Sequence, residues 1–222
     1  MSYVKCFSEI GMQDISEVGG KNASLGEMYQ KLSSQGIYVP NGFAVTTTAY
    51  KYILEVNGAW DKLHAILDGI NPDNISELQQ KGKACREIIY GCEIPQDLKE
   101  AILSEHKCLK QEYGDDLRMA VRSSATAEDS PEASFAGQND TYLNISGEEA
   151  LLDAYKRCLA SNFTDRSIHY KYDNNFEYLN VHLCVVVMKM VRSDIGTSGV
   201  MFSIDTETGF KDVVYISGSY GL

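Results

Sequence analysis

Residues 117–145 read LRMAVRSSATAEDSPEASFAGQNDTYLNI, and the way this stretch begins and ends decides the fold. Leu117, Met119 and Val121 alternate with Arg118, Ala120 and Arg122, the period of a half-buried strand. TYLNI at 141–145 reads as the return strand. Between them lie residues that are nearly all small, hydroxylated or acidic. A connection of this length without periodicity is more often functional or disordered than idle.

Upstream of the strand the apolar period is helical. In VGGKNASLGEMYQKLSSQG, Leu25, Met28, Tyr29 and Leu32 share one face and Gly36 supplies the stop, so a helix is expected to begin just after Gly19 and Gly20. IYVPNGFAVTTTAY places a Pro-Asn-Gly turn before threonines suited to capping a helix that carries Tyr50, Ile53 and Leu54. Residues 58–113 read as three packing helices: one with Trp60, Leu63 and Leu67, one with Leu78, Cys85, Ile88 and Ile89, and one begun by Pro95 with Leu98, Ile102, Leu109 and Tyr113.

Downstream, Ser146 with Glu149 reads as a capping box for a helix through Leu152, Tyr155, Leu159 and Phe163. VHLCVVVMKMV, SGVMFSID and DVVYISGSYGL follow as three strand-like runs. Helices, then a hairpin with a helix, then more strands define an α+β chain rather than a regular βαβ alternation. A sheet whose last strand fills the final ten residues is expected of a piece of a longer protein.

Of the 222 residues, 44% are hydrophobic and 23% charged, an ordinary globular composition. The net charge of −11 argues against a general nucleic-acid or anionic-membrane binder, whose surfaces need clustered Lys and Arg. MSYVKCFSEIGMQD lacks the apolar core of a signal peptide, and the longest apolar run, Val185 to Met188, is far short of a membrane span, which makes the cytoplasm the default location. The six cysteines form no CxxC pair and read as reduced packing residues.

Three features carry chemistry. In VGGKNAS the glycines allow a tight turn, and Lys21 falls in the first helical turn, where unpaired N–H groups favour an anion; a solvated lysine in a loop explains the same residues. Arg122 ends its strand on the face opposite Leu117, Met119 and Val121. It is suited either to a bidentate phosphate contact or to an ion pair with Glu128, Asp129 or Glu132. The loop offers the hydroxyls of Ser123, Ser124, Thr126, Ser134 and Thr141, while Ala133, Ala136 and Gly137 permit close backbone approach and Phe135 could close over a ligand. His64, His106, His169 and His182 lack the partners of a metal or catalytic site and read as surface or packing residues.

GGKNASLGEM, VPNGFAVT, AVRSSATAEDSPEASFAGQNDTYLN and SGVMFSIDTETGF, in this order, closely resemble the N-terminal ATP-binding region of the phosphoenolpyruvate synthase (pyruvate, water dikinase) family of PEP-utilising enzymes. The resemblance implies an ATP-grasp-like domain, with a first lobe at 1–187 (helical 20–113, strand-loop-strand 117–145, helices 147–175) and, at 188–222, a hinge and the truncated beginning of a second lobe. It further implies ATP contacts from Lys21 and Arg122, a lid at Ser134, Phe135, Ala136, Gly137 and Gln138, and adenine against the backbone of Met188, Lys189, Met190 and Val191. Met188 and Lys189 depart from the VQRMV of many relatives. Glu128, Asp129 and Glu132 then become hinge-side solvation of the lid.

In that family ATP passes a diphosphoryl group to a histidine on a separate domain, water removes the terminal phosphate, and pyruvate becomes phosphoenolpyruvate. The Mg2+ ligands, the phosphohistidine and the pyruvate site are expected downstream of Leu222, with a homodimeric full-length protein and an inactive isolated piece. A relative with another acceptor, such as pyruvate phosphate dikinase or a rifamycin phosphotransferase, shares the nucleotide module. A non-catalytic nucleotide-binding module is the remaining alternative.

Overall fold

The strand Leu183–Lys189 is the centre of the sheet, and its sequence LCVVVMK shows why: it is apolar on both faces, with Leu183 through Val187 buried. The computed structural model describes residues 2–125, 129–130, 133–134 and 140–221. These fall into two compact units, Met1–Lys189 and Met190–Leu222.

In the first unit β1 (Val4–Cys6) leads into α1 (Ile15–Leu32), β2 (Gly42–Val45) and the helices α2 (Thr47–Val56), α3 (Ala59–Leu67), α4 (Ile75–Gly91) and α5 (Gln96–Tyr113). β3 (Met119–Ala125) follows, then the two-residue strands β4 (Asp129–Ser130) and β5 (Ala133–Ser134), which pair with each other, and β6 (Thr141–Ile145). α6 (Glu148–Ala160), α7 (Asp165–Asp173) and β7 (Leu183–Lys189) complete it. Strand order is β1-β2-β7-β3-β6, every neighbour antiparallel. The last strand of the unit is thus inserted between two that precede it, a mixed helix and sheet arrangement of the α+β class.

The two faces of this sheet differ. Phe43, Val45, Met119, Val121, Val185 and Val187 point into a large core closed by α2 to α6, with Tyr50, Ile53, Leu63, Tyr155 and Phe163 fully or almost fully buried. Ala44 and Val186 point the other way, into a small core with Phe7, Ile10, Val18 and Ala23 beneath α1. Arg122 and Ser124 lie on this second face, set by the alternation that buries Met119 and Val121 on the first.

Several helix starts differ from expectation. The N-cap residue of α6 is Gly147, with φ +86° and no side-chain cap, so Ser146 and Glu149 form no capping box. Thr46 is the N-cap residue of α2, but its Oγ1 donates to the Ser2 carbonyl at 2.9 Å and ties down the N-terminal strand instead. Side chains do cap α4 and α7, where Asn74 and Thr164 accept from the amides of Glu77 and Ser167. His182 precedes β7 rather than lying in it.

The second unit is a hairpin of β8 (Thr197–Phe202) and β9 (Tyr215–Tyr220), in register from Thr197 opposite Tyr220 to Phe202 opposite Tyr215. Asp205 organises its turn by accepting from the Glu207 amide at 3.0 Å and the Thr208 hydroxyl at 2.9 Å. These bonds hold the Asp205 carboxyl below its ordinary range, the Glu207 amide first. Among the described residues no helix is long and apolar enough to cross a membrane.

Candidate functional site

α1 is two helical pieces joined at Gly19, whose φ of +77° and ψ of 161° are non-helical. Only glycine adopts this conformation readily. Space forbids a side chain as well, because a Cβ at Gly19 would meet the Ser124 hydroxyl and the Cys184 sulfur. The expected helix start after Gly19 and Gly20 is therefore present, preceded by one turn from Ile15 that the apolar pattern did not reveal.

That first turn is pinned from outside. Lys5 of β1 pairs with Asp14 at 3.0 Å and Glu17 at 2.8 Å. The Asp14 carboxyl, which accepts from the Gly11 amide and from Lys5, is held below its usual range, and the Lys5 ammonium is raised, chiefly by Glu17.

Beyond the break, the helix presents Gly20, Lys21, Ser24, Leu25 and Met28 to a cavity of about 420 Å³, which Arg122 of β3 also lines together with Met12 and Ile15. Two cations distant in sequence thus line one cavity beside the helical piece that follows the break, at the positive end of its dipole. The Nε of Arg122 is buried and makes no hydrogen bond among the described residues. β3 fixes the backbone of this arginine on both sides, opposite Val186 of β7 and Thr141 of β6. A buried guanidinium nitrogen without an acceptor calls for one, and an anionic oxygen fits. Lys21, Arg122 and the helix start can therefore hold phosphate oxygens, the chemistry that a phosphate-bearing ligand requires.

The remaining expected residues are placed as follows. Phe135, Ala136, Gly137 and Gln138 lie outside the described residues, as do Thr126, Glu128 and Glu132; of Ser134 the strand pairing opposite Asp129 is described. Ser123 and Ser124 are not loop residues but part of β3, both buried. Met188 and Lys189 end β7, Met188 paired with Gly42 and Ala120, and the Lys189 amide donates to the Asn41 carbonyl at 3.0 Å. Lys189 Nζ sits over the Tyr113 ring, 5.0 Å from its centroid. Met190 and Val191 open the second unit. None of these four lines the cavity of Lys21 and Arg122.

His106 and His182 have pKa values lowered by burial, and His169 pairs with Asp173 at 2.9 Å. Among the described residues no three His, Cys, Asp or Glu side chains gather as metal ligands would. Burial raises the thiols of Cys6 to about 12 and Cys85 to about 11. Residues that the sequence did not assign to the site are Ser24 and Met28 on the cavity wall, Met28 having read only as a packing position, and Asn22 and Cys184 at the Val18 carbonyl. Asn22 stands at the spacing of a buried position on α1, one residue after Lys21, and that spacing was the available signal.

The chain belongs to the family of the pyruvate phosphate dikinase AMP/ATP-binding domain, which matches residues 15–222. It is 51% identical to the phosphoenolpyruvate synthase of Helicobacter pylori over 223 residues, covering 100% of this chain and 28% of that protein. Identity to the phosphoenolpyruvate synthase of Aquifex aeolicus is 52% over 96% of this chain and 25% of that protein. For the Escherichia coli phosphoenolpyruvate synthase it is 44%, over 97% and 27%. The chain thus spans about a quarter of the length of these relatives.

Proposed function

We propose that this chain is the ATP-binding part of a pyruvate, water dikinase, an enzyme that converts ATP, pyruvate and water to AMP, phosphoenolpyruvate and phosphate. The observation that carries the reading is the convergence of Lys21, Arg122 and the post-Gly19 helix start on one cavity. Phosphoryl transfer is mostly positioning and neutralisation of spread negative charge, and these groups supply both. Arg122 is mounted on an interior strand and stays charged at any relevant pH. Lys21 adds a point charge from the first turn. The names of the relatives favour pyruvate as acceptor over the other members of the wider family.

On this reading the domain is ATP-grasp-like, and the small-residue segment from Ser134 to Gln138 serves as its lid. Adenine lies against the backbone around residues 188–191. Mg2+ ligands, the phosphohistidine and the pyruvate site belong to other parts of a larger, homodimeric protein.

Calorimetric titration with ATP tests the phosphate assignment. Lys21→Ala and Arg122→Ala should each weaken binding by roughly 10- to 100-fold, as expected for loss of a charge-assisted contact. Unchanged affinity in both variants would refute it.

A further inference from the structure

The break in α1 frees polar groups that are buried, and two side chains meet them. In an unbroken helix the Val18 carbonyl accepts from the amide four residues on, that of Asn22. With Gly19 far from helical values, this carbonyl accepts from the Asn22 side chain, Nδ2 to O at 2.6 Å. The Cys184 thiol of β7 lies against the same carbonyl and against the Ser124 carbonyl of β3, and 3.7 Å from Asn22 Nδ2. Asn22, Ser124 and Cys184 are all buried to within 1% of full enclosure.

We propose that Asn22 and Cys184 are positioning residues that hold α1 broken at Gly19 and thereby keep Lys21 and the helix start aimed at Arg122. The inference rests on the reading of this cavity as a phosphate site. Its physical basis is the cost of an unmet buried carbonyl. Without the Asn22 amide and the thiol, the Val18 carbonyl regains a partner most directly when Gly19 turns helical. Each residue of a helix advances the side-chain direction by about 100°, so closing the break rotates Lys21 away from the cavity. One polar cluster thus connects the strands that carry Arg122 and Cys184 to the helix that carries Lys21.

The test uses the chain with Asn22→Ala, Cys184→Ala and Cys184→Ser, and Ile53→Val in the opposite core as a control for general destabilisation. ATP affinity by calorimetry should fall about tenfold in Asn22→Ala, the loss of one hydrogen bond's worth of positioning. It should fall in Cys184→Ala, return towards the parent value in Cys184→Ser, which keeps a donor, and stay unchanged in Ile53→Val. Hydrogen exchange of the Val18–Ala23 amides, measured without nucleotide, should change in Asn22→Ala and not in Ile53→Val. Parent-like affinity and exchange in Asn22→Ala, while Lys21→Ala loses ATP, would overturn the positioning role and leave the phosphate assignment standing. Parent-like affinity in both Lys21→Ala and Arg122→Ala would overturn both.

Discussion

The two faces of the five-stranded sheet are built to different rules. One is covered by five helices and filled with apolar side chains, from Phe43 and Val121 to Tyr155 and Phe163. The other carries only a small apolar cluster beneath α1, and next to it Asn22 Oδ1, Ser124 Oγ and Arg122 Nε stand together without hydrogen-bond partners among the described residues, whereas on the helical side Tyr155 Oη and Arg157 Nε, both on α6, are left so. Buried polar atoms without partners are costly and rare in native proteins, and they concentrate where a ligand or ordered water completes them. The contrast teaches that the apolar face supplies the stability on which the polar face draws.

The largest effect should come from the apolar face. Phe43→Ala removes an almost fully buried ring from β2 and should cost about 3–5 kcal/mol in denaturant unfolding, with ATP affinity retained wherever the variant is folded. Gly19→Ala, on the other face, combines a backbone conformation that alanine resists with a clash against Ser124 and Cys184. It should cost about 3 kcal/mol and, unlike Phe43→Ala, weaken ATP binding as well. If both variants altered stability and affinity in the same proportion, the division between the faces would fail.

Lys171 sharpens the comparison, since it is the one fully buried cation on the apolar side among the described residues. Its Nζ donates to the Asn162 carbonyl at 2.7 Å and to Asn162 Oδ1 at 2.8 Å, and it lies 4.9 Å from the Phe163 ring centroid. Burial lowers its pKa from 10.5 to about 7. Above pH 7 the native state has released this proton and the unfolded state has not, so stability should rise with pH. Over pH 7–8.5, below the ordinary thiol pKa of 9.0, the rise should approach about 1 kcal/mol per pH unit and disappear in Lys171→Met. Equal slopes in the two proteins would show that the lysine keeps its proton in the fold across this range and contradict the assignment. The smallest effect is expected for Arg122→Ala, which should shift stability by less than about 1 kcal/mol because its Nε satisfies no protein acceptor.

Much of this architecture was legible in order but not in adjacency. The alternation in LRMAVRSS set Arg122 on the face opposite Met119 and Val121, and the glycines of VGGKNAS set the helix start, because period and backbone freedom are local properties. The insertion of β7 between β2 and β3 is not local, and it is this pairing that brings Cys184 under Gly19 and fixes Arg122 beside α1. Ser123 and Ser124 read as loop hydroxyls because strand length depends on the partner strand, here β7 out to Leu183. The capping box of Ser146 and Glu149 gave way to Gly147, whose positive φ starts α6 without a side-chain cap.

The most direct measurement is hydrogen exchange of the whole chain with and without ATP. Protection is expected on Gly19 to Leu25 of α1 and around Arg122 in β3, with α2 to α5, behind the opposite face, unchanged. Protection confined to those helices, or none on α1, would contradict the assignment of the phosphate site to the polar face.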